Sequence, residues 1–256
     1  MTSSIHSAQT NVQLYMQLLS DGYSKSDIKR VHAAYELATE LFSGQYRGCG
    51  KTLIAHLVGV ASVQASQGAT IEQMQAGLLH SAYRFGDFGS LPSGFHEKKR
   101  DRLCAVVGEE VDALIHAFHD LQWEEEDIRQ IAHSESLELN VQGRALILMR
   151  LAHEIEEHSD WTFLFTSKYD KAEVLRRLSL ISAIAERIDC MSLAERARQL
   201  LEDVQQADEA MDTGSDMPGV YSVVPESYRL RHTASRLRQM ISRYVLQWLG
   251  RTPHTA

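Results

Sequence analysis

Apolar residues recur along most of this chain at the spacing of a helix face rather than in the alternating pattern of a strand. The clearest case is a pair of helix-patterned segments on either side of Gly68. In the first segment, Leu53, His56 and Val60 share one side at i, i+3 and i+7 positions. In the second, His80 lies beside small residues, which leave room for a ligand or a metal ion. The pattern predicts two adjacent helices that each carry one inward histidine.

Helix-start signals extend this prediction over the rest of the chain. Thr70 and Gln73 form a capping box ahead of the second of these helices, and Ser192 and Glu195 form another further on. Few alternating β-branched runs are present, so the predicted fold class is all-α. Besides the two segments around Gly68, predicted helices cover about residues 11–20, 24–43, 102–107, 111–118, 123–133, 140–158, 170–189, 192–211 and 226–249.

The last predicted helix is amphipathic and basic. An apolar stripe that includes Leu237, Ile241 and Trp248 is surrounded by arginines, against the single acidic residue Glu226. Such a helix docks on its own domain or on a second subunit, binds an acidic partner protein, or lies on an anionic membrane. We expect docking or a homodimer, with a partner protein as the alternative.

Composition limits the class of protein. The formal net charge of −8 argues against a dedicated nucleic-acid-binding protein. The N-terminus lacks the basic start and apolar core of a signal peptide, and the longest apolar run is too short to cross a bilayer. Three widely spaced cysteines fit reduced thiols. We expect a soluble, cytoplasmic protein without a transmembrane segment.

Three short motifs resemble the HD domain of the RelA/SpoT stringent-response enzymes. They are Gly44–Arg47 (GQYR), then His56, then Ala76–His80 (AGLLH). The resemblance implies an all-helical bundle that hydrolyses the pyrophosphate of a guanosine nucleotide with a manganese ion. It covers about residues 30–160 and implies that the loop arginine, Arg47, contacts the nucleotide.

The ligand positions of that family are only partly kept. The resemblance places the metal ligands at His56, His80, Ser81 and His153, so two expected aspartates are a serine and a histidine. The acidic pair that serves the attacking water in the family falls on Arg84 and its neighbour. These departures argue against hydrolysis of the RelA/SpoT type.

A second bacterial HD-like group is similar over more of its pattern. The matching stretches are His56–Gly59 (HLVG), Ala76–Tyr83 (AGLLHSAY) and Gly108–Glu110 (GEE). In that group a serine follows the second histidine, as Ser81 does here. No activity comes with this resemblance, and a fold alone does not establish one.

The resemblance and the helix pattern together predict the organisation of the chain. We expect an HD-like helical domain over residues 1–160 and a helical hairpin over 161–211. A linker over 212–225 and the basic amphipathic helix over 226–256 complete the prediction.

Candidate site residues follow, each with a structural alternative. His56, His80 and His153 could hold a divalent metal (Mn, Zn or Fe), or could be hydrogen-bonded core histidines. Arg47, Arg84 and Gln45 are candidates for binding a small anionic or phosphorylated ligand, although a solvated loop arginine is an equal explanation for Arg47.

Two functions remain open at the level of sequence. The first is a divergent metal-dependent hydrolase of a small phosphorylated compound with a histidine-rich site; no catalytic residue is assigned. The second is a catalytically inactive HD-like module that binds a small anion or a protein partner. Metal binding separates them, because three convergent histidines bind zinc well and lack the carboxylates that favour manganese.

Overall fold

The computed structural model describes residues 7–134, 137–160, 170–207 and 220–223. Helices dominate this part of the chain beside one small sheet, which confirms the all-α prediction. The strands β1 (Gln45–Arg47) and β2 (Val220–Ser222) pair with each other. The helices are α1 (Asn11–Ser20), α2 (Lys25–Phe42), α3 (Leu53–Ala65), α4 (Ile71–Leu79), α5 (Ala82–Phe85), α6 (Glu97–Val107), α7 (Glu109–Asp120), α8 (Glu125–His133), α9 (Val141–Ser159), α10 (Lys171–Arg187) and α11 (Met191–Gln206).

One predicted capping box is confirmed and the other is wrong. Thr70 accepts from the Gln73 backbone amide at 3.3 Å, and the Gln73 side chain accepts from the Thr70 amide at 3.0 Å. The predicted box at Ser192 does not form, because α11 begins at Met191 and has no side-chain cap. The Ser192 hydroxyl instead donates to Gln67.

Helix α3 is the centre of the bundle. Nearly all of its side chains are buried, including the polar His56 and Gln64. It packs against α1, α2, α4 and α9, so it has no solvent-facing side. A helix that is apolar on every side is expected in such a central position. Any polar residue on α3 therefore needs a partner on a neighbouring helix.

Helices α10 and α11 pack against each other and lie beside α8 and α9. Val174, Leu178 and Ile181 of α10 are fully buried, as their helical spacing predicts. Each such side chain contributes about 1.5–3 kcal/mol of transfer free energy when buried.

The chain divides into two compact units, Met1–Tyr221 and Ser222–Ala256. The first unit contains both the predicted helical domain and the predicted hairpin. The basic helix predicted over 226–256, and most of the predicted linker over 212–225, lie outside the described residues. Among the described helices, none combines the length and the apolar character that a membrane span requires.

Candidate metal centre

The three candidate histidines come together from three helices. His56 lies on α3, His80 directly follows α4, and His153 lies on α9. Their ring centroids are 5.3, 4.9 and 5.2 Å apart, and each pair of rings is nearly perpendicular. One ring nitrogen from each lies within 4.8 Å of the other two. In a tetrahedral zinc site with bonds of about 2.0–2.1 Å the ligand nitrogens lie about 3.4 Å apart, so the rings would have to close on the ion by up to about 1.4 Å.

A buried carboxylate orients His56. Glu156 of α9 is completely buried, and its Oε2 accepts from His56 Nδ1 while its Oε1 accepts from Lys51 Nζ. Since His56 Nδ1 carries the donated proton, its Nε2 keeps the lone pair. This is the carboxylate–histidine arrangement that fixes the tautomer of metal-binding imidazoles.

The turn after β1 positions Arg47 and Lys51, the two cations that lie near Glu156. The Arg47 amide donates to the Lys51 carbonyl at 2.8 Å, and Gly50 occupies the positive-φ position between them (φ 86°). That position explains the glycine, since other residues rarely adopt it. The Gly50-Lys51-Thr52 sequence is thus a turn and a helix cap, with Thr52 accepting from Ala55.

His80 is fixed from the opposite side. Its Nδ1 donates to the Gly77 carbonyl at 2.7 Å, which leaves Nε2 unprotonated. That Nε2 is buried and has no hydrogen-bond partner among the described residues. A buried imidazole nitrogen without a partner costs free energy unless a proton donor or a metal ion is supplied.

His153 completes the group with a second nitrogen that lacks a hydrogen bond. Its Nδ1 is buried without such a partner in the described part of the chain, and Glu157 Oε2 lies 3.7 Å away. The other oxygen of Glu157 accepts from Arg47. Among the described residues, Glu157 is therefore the carboxylate nearest to His153.

The electrostatics keep all three imidazoles neutral. Burial lowers the pKa of His80 to about 3, and the neighbouring His56 acts in the same direction. Burial, followed by the Arg47 charge, lowers the pKa of His56 well below its usual value. Burial and then His56 do the same for the pKa of His153. A neutral imidazole is the form that binds a metal, so no proton has to be removed first.

The predicted ligand-binding residues occupy three different settings. Arg47 is engaged by Glu157, and its Nη1 lies 3.9 Å from Glu156. Gln45 donates from Nε2 to two backbone carbonyls at 3.2 and 2.9 Å, which ties β1 to α2 and α5. Arg84 is exposed, with its guanidinium 5.2 Å from the Phe85 ring. Of the three, Arg47 is the one that contacts a histidine of the group within the described residues, with its Nη1 3.3 Å from His56 Nδ1.

Two residues at the site could not be identified from the sequence. Lys51 and Glu156 are recognised only from their contacts, whereas Glu157 was one of three nearby carboxylates, with Glu154 and Asp87, that the sequence offered as a substitute for the missing acidic residues. Gly59 offered a signal for Glu156, because a Cβ at that position would lie 2.6 Å from the Glu156 side chain. The glycine of the HLVG motif thus makes room for the carboxylate that orients His56.

Other nearby carboxylates point elsewhere. Glu154 is bound by Arg177 at 2.9 and 3.1 Å, on another side of α9. Asp87 is exposed and accepts from the Gly89 amide at 2.9 Å. Glu156 and Glu157 are therefore the carboxylates that contact the histidine group within the described residues.

Comparisons with known proteins give one partial similarity. Residues 37–122 match a family model described as a domain of unknown function (DUF6817), which is about a third of the chain. The matched part contains His56 and His80 but ends before His153. No curated protein matches the sequence.

Proposed function

We propose that this protein is a divergent metal-dependent hydrolase of a small phosphorylated compound, with His56, His80 and His153 as the metal ligands. The observation that carries the proposal is the convergence of three buried, neutral imidazoles that include two nitrogens without hydrogen-bond partners in the described part of the chain. Hydrogen-bonded core histidines, the structural alternative, would have those nitrogens satisfied.

The donor set favours some metals over others. Three neutral nitrogens suit zinc and iron, whereas manganese and magnesium prefer carboxylate and water oxygens. Three protein ligands are also the number found in catalytic zinc sites, where a fourth position stays open. We therefore expect zinc or iron to bind more tightly than manganese.

Each surrounding residue has a distinct role in this proposal. When bound, a divalent cation supplies Lewis-acid activation of water and of a phosphoryl oxygen. Glu156 holds His56 in the correct tautomer, with Lys51 supporting its charge. Glu157, 3.7 Å from His153, accepts the proton that the attacking water loses. Arg47 holds Glu157 in place through its other oxygen.

Metal analysis of the untagged protein tests the proposal. Elemental mass spectrometry after incubation with zinc should find about one ion per chain in the wild type. His80→Gln and His153→Gln should each weaken zinc binding by more than the roughly 10- to 100-fold that loss of a supporting residue costs. His133→Ala, which removes an exposed histidine at the end of α8, is the matched control and should bind like the wild type.

Circular dichroism and thermal unfolding must show that the variants fold. Wild-type protein that stays metal-free in zinc, iron and manganese would overturn the hydrolase proposal. The inactive anion-binding or protein-interaction module would then be the remaining function. If zinc binds, a screen of phosphorylated small molecules follows, and Glu157→Gln should retain the metal and lose turnover.

A further inference from the structure

An arginine of α9, Arg150, stands out because it forms no ion pair with any described carboxylate. The guanidinium of Arg150 lies 4.8 Å from the Phe118 ring and 5.4 Å from the Trp123 ring. Its Nε is buried without a hydrogen-bond partner, and no carboxylate lies within ion-pair distance among the described residues. Stacking on aromatic rings holds the plane of a guanidinium but leaves its N–H groups unused.

The nearby carboxylates are already committed. The charges of Glu154 and Glu157 both raise the pKa of Arg150, although neither carboxylate forms an ion pair with it. Glu154 is bound by Arg177, and Glu157 is bound by Arg47. Burial lowers the pKa of Arg150, which is the sign of a cation that the protein itself does not fully stabilise.

Arg84 adds a second positive charge to the same region. Its side chain is exposed, and its positive charge lowers the pKa of Arg150. No described carboxylate lies within ion-pair distance of Arg84 either. Two neighbouring cations without an anion between them repel each other, so the arrangement favours an added anion.

Arg150 lies beside the histidine group. Arg150 is one helical turn before His153 on α9, and its charge acts on both His153 and His80. The Phe118 ring that supports Arg150 is 4.8 Å from the His80 ring and 5.7 Å from the His153 ring. An anion held by Arg150 would therefore lie next to the three histidines.

We propose that Arg150, with Arg84 at the surface, binds the phosphate group of the substrate, and that the substrate is a phosphate monoester. Two guanidinium charges match the double charge of a monoester better than the single charge of a diester, and the planar fork of each suits phosphate oxygens. The inference rests on the proposed hydrolase function, and it assigns to Arg150 the anion-binding role that the sequence suggested for Arg47.

Calorimetry with inorganic phosphate tests this on the full chain treated with EDTA, so that no metal contributes. Arg150→Met keeps the side-chain bulk against Phe118 and Trp123 but removes the charge. It should weaken phosphate binding by roughly 10- to 100-fold, as expected for lost charge-assisted hydrogen bonds. Arg84→Gln should weaken it less, since Arg84 is exposed. Arg129→Gln, which removes an exposed arginine paired with Glu125 and Glu126, is the matched control and should have no effect.

A stability measurement separates this role from a structural one. If Arg150 serves the ligand, Arg150→Met should unfold at the same or a higher temperature without phosphate, because an unmatched charge has been removed. A lower unfolding temperature with unchanged phosphate affinity would overturn the inference and make Arg150 a packing residue. Wild-type protein that binds acetate as tightly as phosphate, or binds neither, would also overturn it.

Zinc titration of the same variant distinguishes the two proposals. Arg150→Met should bind zinc like the wild type, because it removes no ligand. If the wild type binds phosphate but no zinc, the hydrolase proposal fails while the anion site stands. If it binds zinc and Arg150→Met leaves phosphate affinity unchanged, the hydrolase proposal stands and the assignment of Arg150 fails.

Discussion

Two of the glutamates that α9 buries, Glu154 and Glu156, have different surroundings. Glu154 accepts two hydrogen bonds from Arg177 and lies 3.5 Å from His158 Nε2. Glu156 contacts Lys51 and His56. The two positions are about 200° apart around the helix, so they face opposite sides of it.

The two carboxylates also differ in charge stabilisation. For Glu154, burial is outweighed by the bonds to His158 and Arg177, so its pKa lies below the usual value. For Glu156, burial is only partly offset by Lys51 and Arg47, so its pKa is raised. On the first side Arg177 binds the Glu154 carboxylate, whereas on the second the contacts lead through His56 to imidazole nitrogens that lack a hydrogen-bond partner among the described residues. The first arrangement is a structural ion pair between Glu154 and Arg177, and the second has the form of a ligand site.

Breaking the ion pair between Glu154 and Arg177 should have the largest effect on stability. Glu154→Ala leaves the half-buried Arg177 without its bidentate partner, which costs about 3–5 kcal/mol in the free energy of unfolding. Urea unfolding monitored by circular dichroism measures the loss. Zinc affinity of the folded fraction should not change. A loss below about 1 kcal/mol, the range of an exposed ion pair, would contradict the assignment.

Acid should destabilise the histidine side first. The three imidazoles have lowered pKa values in the folded protein, so between their folded values and about 6.5 the unfolded chain binds more protons. Stability of the metal-free protein is therefore expected to fall as pH drops below about 6.5, by about 1.4 kcal/mol per pH unit for each imidazole that only the unfolded chain protonates. Because the pKa of Glu154 is lowered, the stability that its carboxylate contributes is lost only at more acidic pH.

Urea unfolding of EDTA-treated protein at pH 7.5, 6.5 and 5.5 checks this pH dependence. In His80→Gln the free energy of unfolding should fall less steeply with decreasing pH, by the contribution of one imidazole. His133→Ala should leave the contribution of the three buried rings unchanged. A stability that stays flat from pH 7.5 to 5.5 would mean that the rings are protonated within the folded protein.

A smaller effect is expected from a substitution that displaces Glu156. Gly59→Ala places a methyl group 2.6 Å from the Glu156 side chain, which must move. Such overpacking costs about 1–3 kcal/mol, and displacing Glu156 from His56 should weaken zinc binding by about 10- to 100-fold. Gly143→Ala is the control, because its nearest contact is 3.2 Å, to Asn140, away from the histidines. Unchanged zinc affinity in Gly59→Ala would show that Glu156 does not support the site.

Part of this site could be predicted from the sequence. The i, i+3, i+7 pattern put His56 on a buried face, and the Thr70–Gln73 box fixed where α4 begins and hence where His80 falls. The box predicted at Ser192 failed because α11 begins at Met191 with Cys190 as its N-cap, so Ser192 lies inside the helix, where its hydroxyl donates to Gln67. A capping signal holds only where the helix begins directly after the residue that carries it.

The sequence by itself determined the helices, the buried faces and the two inward histidines, because hydrophobic periodicity records which side of a helix is covered. Tertiary structure alone decided what covers it. The pairing of His56 with Glu156 joins residues 100 positions apart, and the pairing of Arg47 with Glu157 joins residues 110 apart. Helix packing also decided which arginine has a carboxylate partner and which does not. Charge and residue type are the same for Arg47, Arg150 and Arg177, so only their neighbours in space distinguish a structural arginine from a candidate ligand-binding one.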